Sequence, residues 1–83
     1  MKLMYLTFAD PGKPVGKQFL GAAIVRASNI FEAAQVAWYL GLNPAGGEVY
    51  ALDVPMQTKI PAQYIERFLT KQDIDELDKL LGY

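Results

Sequence analysis

From Phe19 to Val54 the chain switches twice between two kinds of hydrophobic patterning. An apolar run, Phe19 to Val25, leads into an amphipathic segment, Asn29 to Leu40, which stops at Gly41. The chain then passes through Asn43-Pro44-Ala45-Gly46-Gly47 into a second apolar run, Val49 to Val54. Short continuous apolar runs bounded by turn residues read as buried strands, and a helical period between them as a helix. The stretch therefore predicts strand, helix, strand. Ahead of it, Lys2 to Phe8 places Leu3, Tyr5 and Thr7 on one face and Met4, Leu6 and Phe8 on the other. Apolar residues on both faces predict a strand covered on both sides or lying in the middle of a small sheet. Asp10-Pro11-Gly12, followed by Pro14 and Gly16, supplies turn chemistry for a loop that Lys13 and Lys17 make basic.

The helix carries its own boundary signals. Asn29 is a good N-cap and Glu32 falls at N3, where a carboxylate reaches back toward the helix start. Ile30, Ala33, Ala34, Ala37, Trp38 and Leu40 form the expected apolar face, with Glu32, Gln35 and Tyr39 opposite. The small residues Gly21-Ala22-Ala23 predict a close approach of this helix to the preceding strand. Gly41 at C′ and Leu42 at C″ mark the stop. A right-handed β-α-β crossover makes the second and third strands parallel, and the Asp10 to Lys17 loop makes the first antiparallel to the second. Strand order 2-1-3 explains the two apolar faces of the first strand, and order 1-2-3 also satisfies the connections. Pro55 ends the third strand and a polar connector, Met56 to Lys59, follows.

Pro61 suits the first position of a short helix, Ala62 to Phe68, whose Tyr64, Ile65, Phe68 and Leu69 can dock on the sheet. Thr70 caps a final helix with Asp73 at N3, a buried stripe of Ile74, Leu77, Leu80 and Leu81, and an end at Gly82. The expected architecture is a single α+β domain, residues 1–83. It has a small three-stranded mixed sheet (β-β-α-β-α-α), a βαβ unit, and C-terminal helices packed on the sheet.

Composition narrows function more than it defines it. At 83 residues and 52% hydrophobic the chain is globular, with a core small enough that a homo-oligomer would add useful burial. There is no Cys and no His. That excludes disulfides and thiolate nucleophiles, and removes the usual transition-metal ligands and the commonest general acid-base side chain. The expectation is a non-enzyme without cofactor or metal. Met1 to Leu6 is too short for a signal-peptide core, and no run approaches the ~18 apolar residues needed to cross a bilayer, so the expected location is cytoplasmic. Net charge is −1, unevenly spread: Lys2, Lys13, Lys17 and Arg26 meet only Asp10 in the first 26 residues, and the other eight acids follow. With a pI of about 5.2, nucleic-acid binding is not expected.

Three groups of residues are candidates for contact. Gly46 and Gly47 offer consecutive backbone N–H groups that can nest a phosphate or carboxylate. Their loop, however, follows a helix C-terminus, and Glu48 adds negative charge, so a tight return from helix to strand is the simpler reading. No Gly-Lys-Ser/Thr run opens a helix, which excludes a Walker-type loop. Lys13, Lys17 and Arg26 are candidates for an acidic partner or anion, against the ordinary alternative of solvated surface charge. Among the aromatics, Trp38 and Tyr64 are expected in the core and Tyr39, on the polar helix face, is the better candidate for partner contact. Asp73, Asp75, Glu76 and Asp78 lack the glycine and terminal glutamate of a calcium loop and read as a capped, solvated helix face.

Phe19-Leu20-Gly21-Ala22-Ala23-Ile24-Val25, Glu32-Ala33, Leu40 to Val49 and Ile60 to Thr70 together resemble a set of small proteins encoded by bacteriophages and prophages. These share an FLG…IV, LGINPGGEV and IP…Y…R.L(S/T) layout. The likeness covers residues 19 to 75, and this chain departs from it by the inserted Ala45. The resemblance implies a phage accessory protein in the host cytoplasm, acting by binding a host or defence protein. The resemblance equally implies a sponge for a nucleotide or similar small anion, held at Gly46-Gly47 and nearby basic residues, and a third reading is a minor structural component of the virion.

Overall fold

The computed structural model describes residues 2–55 and 58–81. Its elements run β1 (Lys2–Ala9), β2 (Phe19–Ala27), α1 (Ile30–Tyr39), β3 (Glu48–Asp53), a single 3-10 turn (Ala62–Tyr64) and α2 (Lys71–Leu81). The helix stop expected at Gly82 lies outside the described residues, as does the side chain of Leu81.

β1 is the central strand of a sheet ordered β2-β1-β3, which accounts for its two apolar faces. It pairs antiparallel with both neighbours, from Lys2 opposite Ala27 to Ala9 opposite Phe19 on one side, and from Met4 opposite Asp53 to Ala9 opposite Glu48 on the other. β2 and β3 therefore run parallel to each other, as the intervening helix requires, with β1 between them. Every adjacent pair in this sheet is antiparallel.

Each face of the sheet has its own core. On one, Met4, Leu6 and Phe8 of β1 and Ala23, Val25 and Ala27 of β2 meet Ala33 and Ala37 of α1 and Leu42 beyond it. On the other, Ala22 and Ile24 meet Tyr64, Leu69 and Leu77, flanked by Leu3, Tyr5 and Ile74. Burying a side chain such as Phe8 or Leu6 contributes about 1.5–3 kcal/mol, so these two thin layers hold the domain.

α1 is bounded as its sequence predicts. Asn29 Oδ1 accepts from Glu32 N at 2.9 Å, and Glu32 Oε1 accepts from Ser28 N at 3.2 Å. At the other end Leu42 N donates to Ala37 O at 2.8 Å and Gly41 N to Trp38 O at 3.1 Å, with Gly41 at φ 70°. This is a Schellman motif, and buried Leu42 supplies its hydrophobic contact. The roll of the helix differs from expectation. Ala33 and Ala37 face the sheet, whereas Trp38, expected in the core, is exposed. Small residues on both sides let the helix axis come close, and that approach selects the alanine face. Successive helical residues stand 100° apart, so Trp38 is carried away from the sheet.

The tail also departs from a helix over 62–68. Only one 3-10 turn forms, after which the backbone joins the outer edge of β2: Glu66 N donates to Ile24 O at 2.7 Å, Leu69 N to Ala22 O at 2.8 Å, and Ala22 N to Leu69 O at 3.0 Å. The chain direction reverses between the parallel Ile24–Ile65 bridge and the antiparallel Ala22–Leu69 bridge. Glu66 sits in that reversal at φ 59°. Edge hydrogen bonds thus replace helical ones, and Tyr64 still reaches the core. α2 opens with the expected capping box, Asp73 N to Thr70 Oγ1 at 3.2 Å and Thr70 N to Asp73 Oδ2 at 3.0 Å. It docks through Leu77 and half-buried Ile74. Leu80, expected in that stripe, is exposed because it stands about 60° round the helix from Leu77.

Candidate functional site

The roll of α1 turns an aromatic stripe to solvent. Phe31 and Trp38, seven residues apart, lie within about 20° of each other on the helix surface, and they are 79% and 75% exposed. Tyr39, 89% exposed, stands beside them on the flank toward Arg26. A ten-residue helix therefore presents three large aromatics with polar Gln35 among them. Sequence reading placed only Tyr39 in this surface. The signal for the other two was the i, i+7 spacing of Phe31 and Trp38, a stripe distinct from the Ala33-Ala37 stripe.

Arg26 and Tyr39 come together along the same flank. They line an open cleft of about 460 Å³ with Glu32, Gln35, Val36 and Glu66. Arg26 Nη1 lies 3.3 Å from Glu66 Oε1, an exposed pair worth at most about 1 kcal/mol. The cleft wall is held by the left-handed Glu66 backbone, an unfavourable conformation for a residue with a Cβ.

Lys13, Gly46 and Gly47 meet in a second cleft, of about 430 Å³, whose wall also carries Asp10 and Glu48. It lies at the end of the sheet where Ala9 pairs with Glu48, opposite the end where Leu3 pairs with Arg26. The glycine N–H groups are already engaged. Gly46 N donates to Asn43 O at 3.1 Å and Gly47 N to Asn43 Oδ1 at 3.1 Å, while Asn43 Nδ2 donates to Gly47 O at 2.9 Å. A Cβ on Gly47 would lie 2.6 Å from Leu20 Cδ1 and 2.9 Å from Ala9 O. The glycine is needed for close packing, and two acids oppose the one lysine. Lys17 lies outside both clefts, and its backbone N–H closes a turn onto Pro14 O at 2.9 Å.

A further cleft, of about 320 Å³, lies between the sheet and α2, with Tyr5, Leu52, Ile74, Leu77 and Asp78 on its walls. Burial raises the Tyr5 phenol above its ordinary range, and the charge of Asp78 adds to the shift. Tyr5 and Asp78 are far apart along the chain, and their pairing arises only when α2 docks.

Among the described residues no group of three or more acidic side chains is arranged to hold a metal ion, and no helix is long and apolar enough to cross a membrane. Compared with protein-family models, curated proteins and solved structures, the chain shows no significant match.

Proposed function

We propose that this chain acts by binding a protein partner through the outer face of α1, not by catalysis. The observation that supports it is the exposure of Phe31, Trp38 and Tyr39 on one short helix. Tryptophan and tyrosine are enriched among the few residues that dominate binding energies. Each aromatic buries about 150–250 Å² when covered, so the three supply a substantial part of the about 800 Å² that each side of a standard interface contributes. Arg26 and Glu66 beside Tyr39 would form the polar rim. The resemblance to phage-encoded proteins makes the specific form of the proposal an accessory protein that blocks a host or defence protein, and that form rests on the resemblance alone.

The test is a comparison of two tagged baits in bacterial extract, the native chain and a Phe31→Ser/Trp38→Ser variant. Both side chains are largely exposed, so the variant should melt at the native temperature. A partner retained in fixed ratio by the native chain and lost by the variant is the expected result; identical capture by both removes α1 from the binding surface. Anion binding at Lys13, Gly46 and Gly47 is the weaker reading, because Asn43 occupies both glycine donors. It predicts a melting temperature that climbs with nucleotide concentration.

A further inference from the structure

We infer that β3 is the dimerisation strand of this protein, pairing antiparallel with β3 of a second copy about a two-fold axis at Ala51. The two outer edges of the sheet are treated differently. That of β2 is closed by the tail, through the bonds of Ala22 and Ile24 to Leu69 and Glu66. That of β3 has no strand against it among the described residues. An open edge is a template for another chain, and monomeric proteins blunt it with proline, lysine or a bulge. Glu48 to Asp53 (EVYALD) contains no proline or lysine, and its register with β1 is unbroken.

Backbone geometry and charge select the same register. Val54 N donates to Leu3 O at 3.1 Å, so alternation along the ladder directs the Leu52, Tyr50 and Glu48 groups toward β1. The N–H and C=O groups of Val49, Ala51 and Asp53 point outward. A two-fold at Ala51 sets Ala51 opposite its own copy and Val49 opposite Asp53 of the second chain. This gives about six backbone hydrogen bonds. Centring at Asp53 would place Pro55, which has no N–H, opposite Ala51. Centring at Val49 would leave most of the strand unpaired. Centring between Tyr50 and Ala51 would oppose outward to inward groups and set Glu48 against Asp53. The Ala51 register avoids that repulsion, and Asp53 is already neutralised by Lys2 Nζ at 2.9 Å.

The same register matches apolar side chains. Tyr50 and Leu52, 53% and 69% exposed on one face, fall directly opposite each other across the axis in non-hydrogen-bonded pairs, the positions where side chains come closest. The pairing uses neither Phe31 nor Trp38, so it stands or falls separately from the function proposed for α1.

Because the chain has no cysteine, single substitutions read the register directly. Ala51→Cys should form a disulfide-linked dimer on air oxidation, since facing residues in a hydrogen-bonded pair have Cα atoms about 5.5 Å apart. Val49→Cys should not, because its counterpart lies on the far side of the axis. Native mass spectrometry at about 100 µM should show a species of twice 9.2 kDa. Tyr50→Lys/Leu52→Lys, on exposed side chains, should raise the dimer dissociation constant at least tenfold with unchanged circular dichroism. A native chain that stays monomeric, a dimer untouched by the double lysine change, or equal cross-linking at 49 and 51 would each overturn the proposal.

Discussion

The ring of Phe68 occupies the space that a side chain on Gly21 would need. A Cβ built on Gly21 lies 2.3 Å from Phe68 Cε1 and 2.4 Å from Cζ, and the glycine itself sits at φ 151°, where side chains are strained. Gly21 lies on the outer strand β2, opposite Phe8 of β1. The missing Cβ lets the tail fold Phe68 against β2 and close that edge.

Gly21→Ala should therefore destabilise the fold by about 2–4 kcal/mol, combining overpacking with backbone strain. The steric share should shrink in a Phe68→Ala background. A double-mutant cycle read by urea denaturation checks this, with a coupling of about 1 kcal/mol or more expected for residues in contact. Strict additivity would mean that the ring does not hold this position.

The α2 cap gives a pH dependence of defined sign. The Asp73 carboxyl is held below the usual aspartate range, chiefly by the backbone N–H of Thr70, with the Thr70 hydroxyl and Arg67 adding and partial desolvation opposing. A group whose folded value is depressed contributes stability above its unfolded value, about 3.9 for aspartate, and loses it as pH falls through the lower folded value. Melting temperature should thus fall below about pH 4, and Asp73→Asn should flatten that limb. An identical acid limb in the variant would assign the effect to other carboxylates.

Glu66 tests what its left-handed backbone contributes to the Arg26 cleft. Glu66→Gly relieves about 1–2 kcal/mol of strain and removes an exposed ion pair worth no more than about 1 kcal/mol, so thermal stability should hold or rise slightly. Glu66→Val should lower it, since a β-branched residue resists positive φ. A Val variant as stable as the Gly variant would contradict the assigned conformation.

Features that depend on near neighbours in sequence were readable in advance. Asn29 with Glu32, Gly41 with Leu42, and Thr70 with Asp73 specify helix ends through contacts within a few residues. Apolar side chains on both faces of β1 pointed to a central place for it, while the connections alone also allowed order 1-2-3. Trp38 was not readable in the same way, because α1 carries two apolar stripes. Its roll was decided by the small Ala23 and Ala27 of β2 admitting the Ala33-Ala37 stripe, a tertiary fit that periodicity does not encode. The tail was misread for a related reason: Pro61 and an apolar spacing fit a helix, but the open donors and acceptors of Ala22 and Ile24 offered the backbone a better partner. Of the candidate contact residues, Arg26 with Tyr39 and Lys13 with Gly46 and Gly47 are brought together. The engagement of the glycines by Asn43 was hidden in loop geometry.

That α1 keeps an aromatic face outside the core is the claim on which the proposed function rests, and the chain's single tryptophan reports on it. Iodide quenching of Trp38 fluorescence in the purified protein is the most direct measurement. The structure predicts emission close to that of free tryptophan and a quenching constant approaching that of the free amino acid. Blue-shifted emission shielded from iodide would put Trp38 in the core and contradict the account.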